Sequence, residues 1–126
     1  MQQRDLREAL VQTYAEMIRR GLNQGTAGNC SVRCPQANKF LVTPSGMPLE
    51  AMTPDAMVLM DTGGDVVGEG KPSSEWRFHR DILQARPDVG AVVHTHSVAA
   101  TALACVRQGI PAFHYMVAVA GGADIR

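Results

Sequence analysis

Residues 91–96, with the sequence AVVHTH, restrict the possible structure and function of this chain more than any other stretch. The apolar run, with its β-branched residues, is typical of a buried strand. Side chains alternate between the two faces of a strand, so His94 and His96 are expected to point the same way. Two neutral imidazoles on one face can bind Zn²⁺ or another borderline divalent metal. The alternative is two ordinary polar residues at the end of a strand.

Composition and charge exclude several classes of function. The chain has 126 residues, of which 45% are hydrophobic and 19% charged, which is typical of one globular domain or less. The 12 basic and 12 acidic residues cancel, so there is no general attraction to nucleic acid or to an anionic membrane. Aromatic residues make up only 5%, which disfavours base stacking. No apolar run reaches the roughly 18 residues that span a bilayer.

The cysteines and the N-terminus indicate a cytoplasmic protein. Cys30, Cys34 and Cys105 are odd in number and lack zinc-ribbon spacing, so reduced thiols are expected. The residues from Met1 onward lead into a charged amphipathic stretch rather than a signal peptide.

The hydrophobic pattern predicts helices around an antiparallel meander. An apolar stripe predicts a helix from Gln3 to Arg20, ended by Gly21. Strands are expected at residues 40–43, 57–60 and 66–67, with a turn at 61–65. A second helix, capped by Ser73 or Ser74, should run to about Arg86, and a third should follow Ser97 and end at Gly109.

Three small-residue segments can each bind an anion through backbone N–H groups. The first, residues 25–33, contains Gly28 and Asn29, and the second is the Pro44-Ser45-Gly46 turn. The third is the Ser73–Ser74 pair at a predicted helix start. Each segment taken alone is equally compatible with a plain connection, and none is a nucleotide-binding motif.

Three further residues have both a structural and a functional interpretation. Glu75 lies in the first turn of the predicted helix, where it is either a dipole-stabilised residue or a general acid/base and metal ligand. His79 lies four residues later on the same side, and we interpret it as a packing or hydrogen-bonding residue. Tyr115 is either a buried amphipathic residue or a proton donor.

Five segments in this order resemble the class II aldolase/adducin superfamily, and within it the members that act on L-fuculose 1-phosphate. They are GLNQGTAGNCSVR, TPSG, KPSSEWRFHRDIL, VVHTHS and IPAFHYM. The resemblance implies an α/β fold with three α/β/α layers and a mainly antiparallel central sheet. It also implies zinc-dependent cleavage of L-fuculose 1-phosphate, or a similar ketose 1-phosphate, to dihydroxyacetone phosphate and L-lactaldehyde. Members of the family form homotetramers with one zinc ion per subunit.

The resemblance also implies roles for individual residues. Phosphate binding is implied for Gly28, Asn29, Ser45, Gly46, Ser73 and Ser74. Glu75 matches the catalytic acid/base, which also faces the zinc ion, and His94 and His96 match two zinc ligands. Tyr115 matches a tyrosine that protonates or positions the aldehyde portion.

One departure from the family pattern concerns the third zinc ligand. Family members use a third histidine further along as a zinc ligand, and no histidine of this sequence matches it, since His114 matches a different family position. We therefore expect residues 1–126 to be the N-terminal part of a single class II aldolase/adducin domain. The alternatives are a phosphosugar epimerase or dehydratase of the same superfamily, and a non-catalytic adducin-like interaction module.

Overall fold

The computed structural model describes residues 3–125, which form two compact units. The first unit extends to Thr95 and the second begins at His96. Met1, Gln2 and Arg126, the ends of the expected domain segment, lie outside the described residues.

Helix α1 opens the first unit and confirms the predicted N-terminal helix. It spans Gln3–Arg19 and buries an apolar stripe of four residues: Leu6, Leu10, Tyr14 and Met17. Gly21 adopts a left-handed φ of 68°, and the N–H of Leu22 donates to the carbonyl of Met17, so the helix ends in a Schellman-type cap.

Four antiparallel strands form the sheet of this unit, in the order β3-β2-β1-β4. They are β1 (Asn29–Arg33), β2 (Lys39–Val42), β3 (Val58–Asp61) and β4 (Ala91–His94). The predicted strands near β2, β3 and β4 are confirmed.

Two details of the predicted meander are wrong. Residues 29–33 form a strand, whereas the sequence pattern indicated a loop through residue 33. Val66 makes only an isolated bridge to Met60, so no return strand forms at 66–67. The Asp61 carboxylate instead accepts hydrogen bonds from the N–H groups of Gly64 and Asp65, which favours a compact turn.

The sheet is covered on both faces, which confirms the predicted α/β/α layers. Side chains alternate along β2, so that Leu41 joins the α1 cluster, whereas Phe40 and Val42 join a cluster with Leu83. Leu83 belongs to helix α2, which spans Trp76–Ala85 and stops before Pro87 as predicted.

Arg33, at the end of β1, ties the sheet to the C-terminal end of α2. Its guanidinium donates hydrogen bonds to the carbonyl oxygens of Leu83, Arg86 and Val89. Carbonyl groups at a helix C-terminus lack partners within the helix, so a cation there satisfies them and favours the helix dipole.

Strand β4 is less buried than its apolar composition predicted. Val93 is 52% exposed, and exposure alternates along the strand. Within residues 3–125, β4 pairs only with β1 and lies at the edge of the sheet. The expectation of a buried strand is therefore wrong for this part of the chain.

The serine cap predicted for α2 is also wrong. Glu75, not Ser73 or Ser74, is the N-cap of α2, without a side-chain cap bond. Ser73 contributes differently, since its hydroxyl accepts a hydrogen bond from the Glu75 N–H at 3.3 Å.

The second unit contains helix α3, which spans Val98–Cys105, and a 3₁₀ helix at Tyr115–Ala120. Ser97 is the N-cap of α3 but makes no side-chain cap bond. The helix ends before Arg107, which has a φ of 55°, and not at Gly109 as predicted. None of the helices in residues 3–125 is both long and apolar enough to cross a membrane.

Candidate active site

The candidate site lies where β1, β4 and the start of α2 meet. Antiparallel pairing puts Asn29 of β1 directly opposite His94 of β4. The Asn29 amide nitrogen donates to the Oε2 atom of Glu75 at 2.7 Å, and the His94 Nε2 atom lies 3.4 Å from the same oxygen. One carboxylate oxygen therefore faces both an amide donor and an imidazole.

Glu75, His94 and His96 form a group that could hold a metal ion. One potential ligand atom from each of the three side chains lies within 4.8 Å of the other two. His96 follows the end of β4, so it is the local chain path and not strand alternation that positions it. Two imidazole nitrogens and a carboxylate oxygen are a donor set that suits zinc and similar divalent metals. The residues present therefore fit a metal ion of this kind.

A buried polar chain extends from Glu75 into the interface between α2 and the sheet. The Asn29 Oδ1 atom lies 2.5 Å from the Nε2 atom of His79, and the His79 Nδ1 atom lies 2.8 Å from the Ser31 hydroxyl oxygen. Asn29, Ser31 and His79 are all buried, and His79 is 0% exposed. The hydrogen-bonding role predicted for His79 is confirmed.

Burial and neighbouring charge both affect His79. The pKa of His79 is lowered to about 4, mainly by burial and also by nearby His94, whereas Glu75 acts in the opposite direction. The Phe78 ring stacks on the His79 ring at 4.5 Å and meets the His94 ring edge-on at 5.1 Å. The imidazole of His79 is thus neutral near pH 7 and can both donate and accept a hydrogen bond.

Ser31 is the member of this hydrogen-bonded series of side chains that sequence reasoning missed. The sequence feature that could have identified it is the alternation of polar Asn29 and Ser31 with apolar Cys30 and Val32, which is a strand pattern. The adjacent glycines favoured a loop instead, so the polar face of β1 went unrecognised.

Backbone hydrogen bonds join the three segments predicted to bind phosphate. The Ser45 N–H donates to the Lys71 carbonyl and the Ser73 N–H donates to the Thr43 carbonyl, both at 3.0 Å. Thr43 is in turn bonded to Cys30 of β1, since its N–H donates to the Cys30 carbonyl and its hydroxyl accepts from the Cys30 N–H. The structure therefore brings the TPSG turn, the serine pair and the start of β1 side by side.

Gly28 must be a glycine at the entrance to β1. Its φ is 76°, and a Cβ atom there would lie 2.2 Å from the Asn23 amide nitrogen. Gly46, in the TPSG turn, has a similar φ of 63°. Left-handed glycines of this kind permit backbone N–H groups to line a concave turn, which suits anion binding.

Burial differs among the predicted phosphate-binding residues. Ser73 is buried beneath Glu75, whereas Ser45 and Gly28 are half-buried. Ser74 and Gly46 are exposed. The exposed pair is open to a ligand, and the buried Ser73 has a positioning contact with Glu75.

Tyr115 lies in the second unit at the start of the 3₁₀ helix. Its side chain is exposed, and its ring lies 4.4 Å from that of His114. The His114 Nδ1 atom accepts a hydrogen bond from the Met116 N–H, which caps this short helix. The role of Tyr115 with the aldehyde portion stays a prediction.

The chain is similar to known aldolases in sequence and in structure. The family model for the class II aldolase and adducin N-terminal domain matches residues 8–126. A 5-methylthioribulose-1-phosphate/5-deoxyribulose-1-phosphate aldolase of Rhodospirillum rubrum is 54% identical over 96% of this chain and 54% of its own length. The L-fuculose phosphate aldolase of Escherichia coli K12 is 49% identical over 99% of this chain and 57% of its own length.

The structural comparison agrees with the sequence comparison. A solved L-fuculose 1-phosphate aldolase superimposes with a TM-score of 0.89 and 41% identity, over 97% of this chain and 57% of the other. The chain thus spans about half the length of the relatives that it matches.

Proposed function

Since the chain belongs to the class II aldolase and adducin N-terminal domain family, we propose that its gene product is a metal-dependent aldolase acting on a ketose 1-phosphate. The observation that supports this most directly is the Glu75 carboxylate, placed between the Asn29 amide and the His94 imidazole. The reaction breaks the C3–C4 bond and yields dihydroxyacetone phosphate and an aldehyde.

The proposed reaction requires two proton movements around the broken bond. The C4 hydroxyl releases its proton to water as C4 becomes the aldehyde carbon. The electron pair of the C3–C4 bond stays on the dihydroxyacetone phosphate half as an enediolate, and a proton is added at C3. Glu75 is our candidate for the group that moves the C3 proton, because it is a half-buried carboxylate with one oxygen held by Asn29.

The three adjoining turns are proposed to bind the substrate phosphate. These turns contain the six proposed phosphate-binding residues: Gly28, Asn29, Ser45, Gly46, Ser73 and Ser74. Because the N–H groups of Ser45 and Ser73 already donate to protein carbonyls, the proposed donors are the serine hydroxyls, the Asn29 amide and the backbone at Gly28, Gly46 and Ser74. Phosphate binding at these turns orients the ketose so that its C3–C4 bond faces the carboxylate. The binding energy thereby holds the reacting groups in the geometry that the reaction requires.

Glu75, His94 and His96 would hold the metal ion, which we propose to be zinc, one per subunit. When bound there, it supplies Lewis-acid stabilisation of the negative charge that develops on the substrate oxygens. His94 and His96 then act as ligands, and Glu75 combines a metal-facing position with proton transfer. A third histidine ligand, outside the 126 residues, is part of this proposal, as is the assignment of residues 1–126 to the N-terminal part of one domain.

The substrate is proposed from the curated relatives. The two named above act on phosphorylated ketoses that share the dihydroxyacetone phosphate half and differ in the aldehyde half. L-Fuculose 1-phosphate would yield L-lactaldehyde, and 5-deoxyribulose 1-phosphate a two-carbon aldehyde. Tyr115 is proposed to contact the aldehyde half and so to affect this choice.

We also propose a cellular location and an oligomeric state. Cys30, Cys34 and Cys105 are all free thiols, which supports a cytoplasmic location. The complete gene product is proposed to be a homotetramer on the basis of the family resemblance.

A combined metal and activity assay tests the proposed function. The complete gene product should contain about one zinc per subunit and release dihydroxyacetone phosphate from L-fuculose 1-phosphate or 5-deoxyribulose 1-phosphate. Chelation should abolish release, and added zinc should restore it. His94→Ala is the matched control, expected to lose both metal and activity.

Two results would overturn this proposal. One is a folded protein that contains no stoichiometric metal and cleaves neither ketose, which favours a non-catalytic interaction module. The other is isomerisation or dehydration of the same sugar phosphates without cleavage, which favours an epimerase or dehydratase.

A further inference from the structure

We propose that His79 is a positioning residue that fixes the orientation of the Asn29 amide and, through it, the Glu75 carboxylate. The inference deepens the proposed aldolase function and rests on it for its kinetic part. His79 lies one helical turn after Glu75 on α2, and the two side chains contact opposite ends of the same amide.

The Glu75 carboxylate determines which groups donate and which accept in this series of hydrogen bonds. A carboxylate oxygen only accepts hydrogen bonds, so the group of Asn29 that faces Glu75 must be its NH₂. The amide oxygen then faces His79, whose Nε2 atom must carry the proton in order to donate. The Nδ1 atom of a neutral imidazole is then a bare acceptor, which requires the Ser31 hydroxyl to donate to it.

Burial makes this orientation strict. His79 is 0% exposed, and Asn29 and Ser31 are 5% and 0% exposed, so water has little access to stabilise a flipped amide. A reversed Asn29 would place its oxygen against the Glu75 carboxylate and its NH₂ against a ring N–H. Both contacts would leave buried polar groups without suitable partners, which is costly in a low dielectric.

The fixed amide has a consequence for the proposed substrate site. One N–H of the Asn29 amide is directed to Glu75, and the plane of the amide sets the direction of the second. Asn29 is also a proposed phosphate-binding residue. His79 therefore supports two functions through one side chain: the position of the Glu75 carboxylate and the presentation of an N–H donor to the substrate.

The first test reads the tautomer of His79 and does not depend on activity. In ¹⁵N-labelled complete gene product near pH 7, the ring signals of His79 should show a protonated Nε2 and a bare Nδ1. The signals are assigned by their loss in His79→Gln. A ring protonated at Nδ1, whether neutral or doubly protonated, would overturn the proposal.

The second test compares two substitutions of His79. Gln can place an amide N–H near the position of Nε2 and so continue to donate to Asn29, whereas Phe keeps the ring volume without any donor. We expect His79→Phe to lose roughly 10- to 100-fold in kcat/KM, through both a lower kcat and a higher KM. His79→Gln should recover most of that loss.

Stability measurements separate positioning from a merely structural role. Both variants are assayed well below their unfolding temperatures, and kcat/KM is calculated per folded molecule. Equal kcat/KM losses in the two variants, or a lower Tm in His79→Phe with unchanged kinetics, would overturn the positioning role. If the unsubstituted protein cleaves no ketose 1-phosphate, the proposed function fails, and the tautomer measurement still decides the hydrogen-bond arrangement.

Discussion

Cys30 and Ser31 are neighbours on β1 and are both buried, yet they face opposite surroundings. Cys30 points to α1 and packs in a cluster with Leu10 and Tyr14. Ser31 points to α2 and hydrogen-bonds to His79. These two neighbours on one strand therefore lie in an apolar environment on one face of the sheet and in a polar one on the other.

The difference shows that burial has two purposes in this unit. On the α1 face, the removal of apolar surface from water stabilises the fold without any directional requirement. The α2 face has an apolar cluster of its own, which includes Phe40, Val42 and Leu83. Beside that cluster lie the buried polar groups of Asn29, Ser31 and His79, and their burial is tolerated because each has a hydrogen-bond partner. Substitutions in the apolar cluster on the α1 face should change stability, and substitutions of the buried polar residues beside α2 should change function.

The largest expected effect is that of Glu75→Gln. Gln keeps the shape of Glu and an oxygen that can accept from Asn29, but it cannot act as an acid or base. We expect turnover of the ketose 1-phosphate by the complete gene product to fall by about 100- to 10 000-fold, with little change in stability. Steady-state kinetics and chemical denaturation of the same preparation would measure both.

Leu41→Ala is the matched control on the α1 face. Leu41 is 0% exposed, and its truncation should lower the free energy of unfolding by about 2–5 kcal/mol, with turnover per folded molecule unchanged. Unchanged turnover in Glu75→Gln would remove Glu75 from its proposed role, and a large activity loss in folded Leu41→Ala would contradict the separation of the two faces.

An intermediate effect is expected from acid. Burial lowers the pKa of His79 to about 4, against 6.5 for the ordinary group. Between these values the unfolded chain binds a proton that the folded chain does not, so stability should fall as pH falls from about 6.5 to about 4. The cumulative loss at this one group is about 3 kcal/mol.

The measurement is denaturant unfolding across this pH range, compared with His79→Gln. The variant lacks the titrating ring, so its free energy of unfolding should vary over this pH range by about 3 kcal/mol less than that of the unsubstituted protein. The other histidines contribute equally to both proteins. Parallel pH curves for the two proteins would contradict the burial of a neutral His79.

The smallest expected effect comes from the two neighbours on β1. Cys30→Ala removes one buried sulfur and should lower stability by about 1 kcal/mol. Ser31→Ala removes a donor to His79 and should cost a similar amount, about 1–2 kcal/mol. Only Ser31→Ala should also reduce kcat/KM, and equal kinetic effects of the two substitutions would contradict the comparison.

Sequence patterns predicted most of the elements because the α1 face follows simple periodicities. The apolar stripe of α1 and the short apolar runs of β2 and β3 each bury one class of side chain, which local patterns report well. Strand β1 was predicted as a loop because the adjacent glycines outweighed the alternation of polar Asn29 and Ser31 with apolar neighbours.

The candidate site was predictable in its members but not in its connections. Glu75, His94 and His96 were singled out by residue type and spacing, and the structure brings them together. The contact of Asn29 with both Glu75 and His79 depends on pairing between segments that are 46 and 50 residues apart. Local patterns carry no information on such pairings, since tertiary packing determines them.

Helix α2 is pinned to β1 at two separate places. Near its start, His79 is bonded to Asn29 and Ser31, and at its end the carbonyls of Leu83 and Arg86 receive the Arg33 guanidinium. Because α2 is hydrogen-bonded to β1 near both of its ends, a shift of the helix along its axis would have to break both sets of hydrogen bonds together. The site therefore obtains its alignment from the full length of the helix, and a residue inserted between 79 and 83 would misalign Glu75 without touching it.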